Sequence, residues 1–148
     1  MNLDNLNNKY KNIIHLTLHE NTIICGEELI PVNKTTNIPS DMYYFLNINK
    51  LSNTPINNNR NIINLDNKII YFVIHHRHWG HYGHEVSEMP LMMQFFLNEL
   101  DNKTLNNKIV KAITLNKSQK QFMQQLRTCF NTKNYLYSNT NSYYRGNF

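Results

Sequence analysis

A chain of 148 residues is the length of one ordinary domain, and its 41% apolar content lets it bury a core, which excludes a disordered segment. Two cysteines exclude a disulfide scaffold, and no apolar run approaches the roughly 20 residues that span a bilayer. The net charge of +5 invites a nucleic-acid partner. However, the lysines and arginines are scattered, and no helix-turn-helix, zinc-finger or RNA-recognition signature accompanies them, so none is expected. Asparagine, with 27 residues, does the solvating work usually left to Glu and Lys, a composition that suits an AT-rich genome.

Residues 1–9 are polar and promise no regular structure. From Tyr10 onward, Ile14, Leu16 and Leu18 alternate with His15, Thr17 and His19, the period of a half-buried strand. Glu20-Asn21 can turn this strand into Thr22-Ile23-Ile24-Cys25, giving an expected hairpin that Gly26 ends. Pro31 and Pro39 mark a loop over 31–41, and Met42 to Ile48 is rich in strand formers. An Asn-rich connection follows, with a short strand expected at Ile62-Ile63. These parts make up a β-rich region over 10–67.

The character changes at residue 68. Lys68 to His75 is a continuous apolar run, as expected of a strand covered on both faces. A helix should start near Ser87, a good N-cap, because an earlier start would set Pro90 against the carbonyl of Val86. Leu91, Met92, Phe95, Phe96 and Leu100 then form its apolar face. A turn over 101–107 leads to a strand at Lys108–Leu115. Next comes a helix capped by Asn116 or Ser118, burying Phe122, Leu126, Cys129 and Phe130, and finally a strand at Tyr135-Leu136-Tyr137. The expected fold class is therefore α/β: a single domain over 1–148, β-rich at first, then a Rossmann-like β-α-β-α-β parallel unit over 68–138. Residues 139–148 read as a polar tail.

Chemistry concentrates between the apolar strand and the helix that follows it. Five of the seven histidines (His75, His76, His78, His81 and His84) lie in ten residues, together with Trp79, Gly80 and Gly83. The spacing is not that of the H-E-x-x-H zinc motif, so no metal is assigned. His84 and Glu88 are four apart, neighbours on a helical turn. A carboxylate that holds an imidazole fixes its tautomer and raises its basicity, which suits a general base. A helix-capping His84 beside a Glu88 drawn to the helix start accounts for the same pair. Arg77 and His81 could offer positive charge to an anion, Gly83 a close backbone approach, and Tyr82 a face on which a sugar stacks.

The run Tyr82-Gly83-His84-Glu85-Val86-Ser87-Glu88-Met89-Pro90-Leu91, placed after an apolar strand, resembles the GH-x-x-x-[DE]-x-x-P region of the family 61 glycosyltransferases. Leu115 to Phe122 stands where those enzymes carry a Phe-Gln-type segment, so the likeness covers about residues 65–138. The proline comes one position early, and Leu91 replaces a basic residue. The resemblance implies half of a GT-B-like architecture, a nucleotide-sugar donor, a hydroxyl acceptor on a glycan, and no cofactor or required metal. It makes His84 the base and Glu88 the residue that orients it. It further implies a truncated or remnant half-enzyme, inactive alone unless a partner chain supplies the other wall of the cleft. The alternatives are a non-catalytic metal- or ligand-binding module built on the loop 75–84, and a structural or interaction protein. Free thiols at Cys25 and Cys129, and an amino terminus without a basic, then apolar, leader pattern, suggest a cytoplasmic setting.

Overall fold

A computed structural model describes residues 1–26, 29, 31–32, 59–74, 89–115, 134–139 and 141–148. The chain is a mixed α/β protein with few helices and two sheets, both containing parallel strands. The described elements are α1 (Leu3–Lys9), β1 (Thr22–Cys25), β2 (Asn61–Asn64), β3 (Ile69–Ile74), α2 (Met89–Phe95), β4 (Thr104–Leu105), β5 (Lys108–Leu115), β6 (Tyr135–Ser138) and β7 (Ser142–Gly146). At Phe96–Leu100, α2 widens into one π turn, which the bond from Asp101 N to Phe96 O closes.

The amino-terminal stretch is helical rather than irregular. Asn2 caps α1, its Oδ1 accepting from Asp4 N at 2.7 Å and Asn5 N at 3.4 Å. The alternation from Ile14 to His19 governs burial as expected, with Leu16 and Leu18 packed inward and His15 exposed. The expected hairpin is absent. The Asn7 side chain takes the place of a neighbouring strand, accepting from Leu16 N at 2.7 Å and donating to Leu16 O at 2.8 Å. His19 exchanges both backbone bonds with Phe148, and β1 pairs antiparallel with β7.

In the second sheet, β3 pairs parallel with β5 over Ile69–Ile74 and Ile109–Thr114. The other edge of β5 is shared: β4 occupies its start in antiparallel register and β6 its end in parallel register. The expected turn over 101–107 thus contains a strand. Asn106 and Asn107 both hold positive φ (47° and 64°), the type I′ geometry that joins Leu105 to Lys108 in a two-residue hairpin.

Both faces of β3 are covered, as its unbroken apolar run suggests. Ile70, Phe72 and Ile74 meet Met93, Phe96, Leu100 and α1 on one side. Ile69, Tyr71 and Val73 meet Ile24, Tyr144 and Phe148 of the first sheet on the other. The order of layers is helices, the sheet of β3 and β5, and the sheet of β1, β7 and β2. Phe72 stacks on Phe96 with centroids 5.9 Å apart and planes 8° from parallel. The buried ridge of α2 is Met93, Phe96 and Leu100. Leu91, expected on that face, is 70% exposed, because two residues at about 100° each carry it to the far side of the helix from Met93. Ser87 and the segments 42–48 and 116–133 lie outside the described residues.

The polar tail expected over 139–148 is instead the middle of the fold. β7 is the central strand of the order β1-β7-β2, and Tyr143, Tyr144 and Phe148 are buried. Beyond β7, the Asn147 side chain donates to Asn67 O (3.1 Å) and Ile69 O (3.2 Å) and accepts from Asn21 N (3.1 Å). The Asn147 carbonyl accepts from Tyr71 N at 2.8 Å. Asn147 is 5% exposed, so truncating its amide removes three bonds to backbone groups at a part-buried crossing. Asn147→Ala should cost about 2–3 kcal/mol in urea unfolding, and Asn147→Asp, which loses both donated bonds, should cost no less.

A second tie joins α1 to α2. Glu99 accepts from the Tyr10 hydroxyl and from Lys9 Nζ at 3.0 Å. The hydroxyl first, and the ammonium second, hold the Glu99 carboxyl below its usual value of 4.5. A depressed carboxylate stabilises the fold above its unfolded pKa, and that contribution is lost as pH falls through the folded one. Melts of Glu99→Gln should therefore lie below wild type at pH 7, and the gap should close as pH drops below about 4.

Candidate functional site

Strands β3, β5 and β6 step across the sheet in one direction. After β6 the chain crosses back, and Asn147 bridges in parallel to Ile70 on the opposite edge of β3. The spatial order is therefore β6, β5, β3, with the single bridge to Asn147 on the outer edge of β3 near its amino end. Ligands of open α/β sheets collect beyond the carboxyl ends of their parallel strands. The carboxyl end of β3 is Ile74, and the next residues are His75 and His76.

Ile74 is level with Thr114 near the end of β5, and Leu115 is level with Ser138 at the end of β6. Ile74, Thr114 and Ser138 are buried, so the end of the sheet is a firm platform. The Ser138 hydroxyl donates to Gly26 O at 2.8 Å, and Asn139 N donates to the Tyr144 hydroxyl at 2.6 Å. These bonds fasten the end of β6 to the first sheet. After fourteen residues the chain returns as α2, which packs Met93 and Phe96 onto β3. The β3-α2-β5 path is thus a parallel β-α-β unit whose strand-to-helix connection is the histidine-rich stretch.

The candidate residues Arg77, His81, Tyr82, Gly83, His84 and Glu88 lie in that connection, outside the described residues, as do His75, His76 and His78. The structure fixes the strand they leave and the helix they enter. Of the remaining histidines, His15 is exposed and His19 half-buried in the segment that pairs with Phe148. Among the described residues, no group of three or more His, Cys, Asp or Glu side chains is placed to hold a metal. Cys25 is a free buried thiol, with Arg60 Nη1 at 3.8 Å from its sulfur; Cys129 lies outside the described residues. No described helix is long and apolar enough to cross a membrane.

Sequence reasoning missed the platform beneath the site. Ser138 stands just before the expected polar tail, and nothing local marks it as wholly buried. Gly26, read as a strand terminator, is where the two sheets touch. Comparisons with family models, curated proteins and solved structures find no match to this chain.

A Cβ on Gly26 would collide with Asn139 O and sit 2.6 Å from Ser142 O, both backbone atoms with little room to yield. Gly26→Ala should therefore lower stability by at least about 2 kcal/mol in chemical denaturation, a backbone-strain effect well above that of a surface substitution. The loss should exceed that of Ser138→Ala, which removes one buried bond.

Proposed function

We propose that this chain is a glycosyltransferase-like domain, half of a GT-B-like architecture, that holds a nucleotide sugar beyond the carboxyl end of β3. One observation carries the reading: the stretch containing His84 and Glu88 leaves the carboxyl end of β3, a strand of a parallel β-α-β unit. His84, oriented by Glu88, takes the proton of an acceptor hydroxyl as that oxygen attacks the anomeric carbon and the nucleoside diphosphate departs. Arg77 and His81 balance the phosphate charge, Gly83 lets the backbone approach, and Tyr82 gives the sugar a stacking face. A partner chain supplies the other wall of the cleft. Binding and turnover therefore need separate readouts.

The binding test is a melting series with a panel of nucleotide sugars. A true donor at 100-fold its Kd adds about 2.7 kcal/mol and raises the melting temperature. The gain should be lost in the double variant Arg77→Ala with His81→Ala and kept in His84→Ala. Where transfer to a glycan acceptor is measurable, His84→Ala should lower it by at least about 100-fold. A panel with no effect on melting, and no transfer, sinks the reading. Five histidines in ten residues favour one second reading, a non-catalytic metal-binding module. Zinc that raises the melting temperature, and fails to do so in His81→Ala with His84→Ala, would select it.

A further inference from the structure

Among the described strands, β2 is the one with no buried residue. Its four residues, Asn61-Ile62-Ile63-Asn64, are all exposed, with Ile62 at 38% and Ile63 at 39%. It lies at the edge of the order β1-β7-β2 and, among the described residues, pairs on one side only, in parallel with β7. The opposite edge of the same sheet is managed differently. Pro31 bridges to Ile24, and Val32 N donates to Ile23 O at 2.8 Å, so the outer side of β1 is covered. An exposed apolar edge strand presents a row of free N–H and C=O groups and is ordinarily blunted by charge, proline or a bulge. None of these interrupts Asn61–Asn64.

We propose that the free edge of β2 is a docking surface for a second copy of this chain, forming an antiparallel β2–β2 pair across a two-fold axis. Three features select a second copy over a foreign strand. The segment Asn-Ile-Ile-Asn is self-complementary: antiparallel pairing about its centre sets each Ile62 against the partner copy's Ile63 and each Asn61 against its Asn64. No charge lies within the four residues, so two chains of net charge +5 can meet there without like charges face to face. And this sheet has one open edge per copy, so pairing closes at two, merging two three-stranded sheets into one of six rather than propagating a fibre. A pairing of four residues per copy buries far less than the roughly 800 Å² per partner of a stable complex, so the dimer is weak and concentration-dependent.

The experiment is sedimentation velocity on the full chain from about 10 µM to about 1 mM, the range in which a weak contact populates. The expected mass rises from that of the 17.7 kDa monomer towards twice that value. Ile62→Lys with Ile63→Lys should hold it at the monomer with the melting temperature unchanged, since neither side chain is in the core. Hydrogen exchange on the wild-type chain gives a check that needs no variant: amides of 61–64 should gain at least several-fold protection at the high concentration. A monomer at 1 mM, association that the lysines leave intact, or association without protection of 61–64 would each overturn the proposal.

Discussion

The structure hangs on a short run of backbone, Ser142 to Phe148, that belongs to both sheets. Its first five residues form the central strand of one, flanked by β1 and β2. The next two reach the other: Asn147 lies against Ile70 and Tyr71, and the Phe148 ring packs on Tyr71. A buried asparagine can hold such a crossing because its amide both donates and accepts in one plane. Asn147 uses both functions, on Asn67 and Ile69 in one direction and Asn21 in the other. An isosteric leucine would fill the volume and strand all three backbone groups. A serine would be too short to reach them together.

The same run explains why β3 is apolar from end to end. A sheet backed only by α1 and α2 would leave one face of β3 to solvent, and its sequence would alternate. With Tyr144 and Phe148 laid across that face, Tyr71 is buried like Ile70 and Ile74, and Val73 is partly buried. Tyr71 is buried deeply enough that desolvation first, and the Asp66 charge second, raise the pKa of its hydroxyl. Two-sided burial and the bridging strand are thus one fact seen from two elements.

How much of this the sequence carried depended on how far apart the partners lie. A run of six apolar residues announced β3, because a buried strand needs nothing beyond its own side chains to be visible, and β5 has the bounds expected of it, Lys108–Leu115. β2 was legible as Ile62-Ile63 between polar residues. The expected hairpin failed because its second strand found a better partner more than a hundred residues away, a pairing no local pattern encodes. β7 was missed for a related reason. A central strand buried on both faces need not alternate, and Ser-Tyr-Tyr-Arg-Gly is too short to stand out. Asparagine also misled, since it signals solvation in composition but serves as glycine in geometry. Four of the five described non-glycine residues with positive φ are Asn, which lets a chain with only four glycines turn tightly. As for the candidate site, the sequence named its residues and the strand before them. What it could not show is that the outer edge of this strand is bridged near its start, since the partner is residue 147.

The crossing also supports β3 itself. Without Asn147 beside Ile70, β3 would be a plain edge strand, with β5 and β6 stepping away from it and nothing bridged to its outer side near its amino end. The residue that locks the two sheets together thus holds the strand from whose far end the histidine-rich stretch leaves. The bonds from Ser138 to Gly26 and from Asn139 to Tyr144 act in the same sense from the far side, fixing the end of β6 against the first sheet. The end of this sheet is thus held by contacts between sheets, and its support is a property of the whole fold rather than of one local segment.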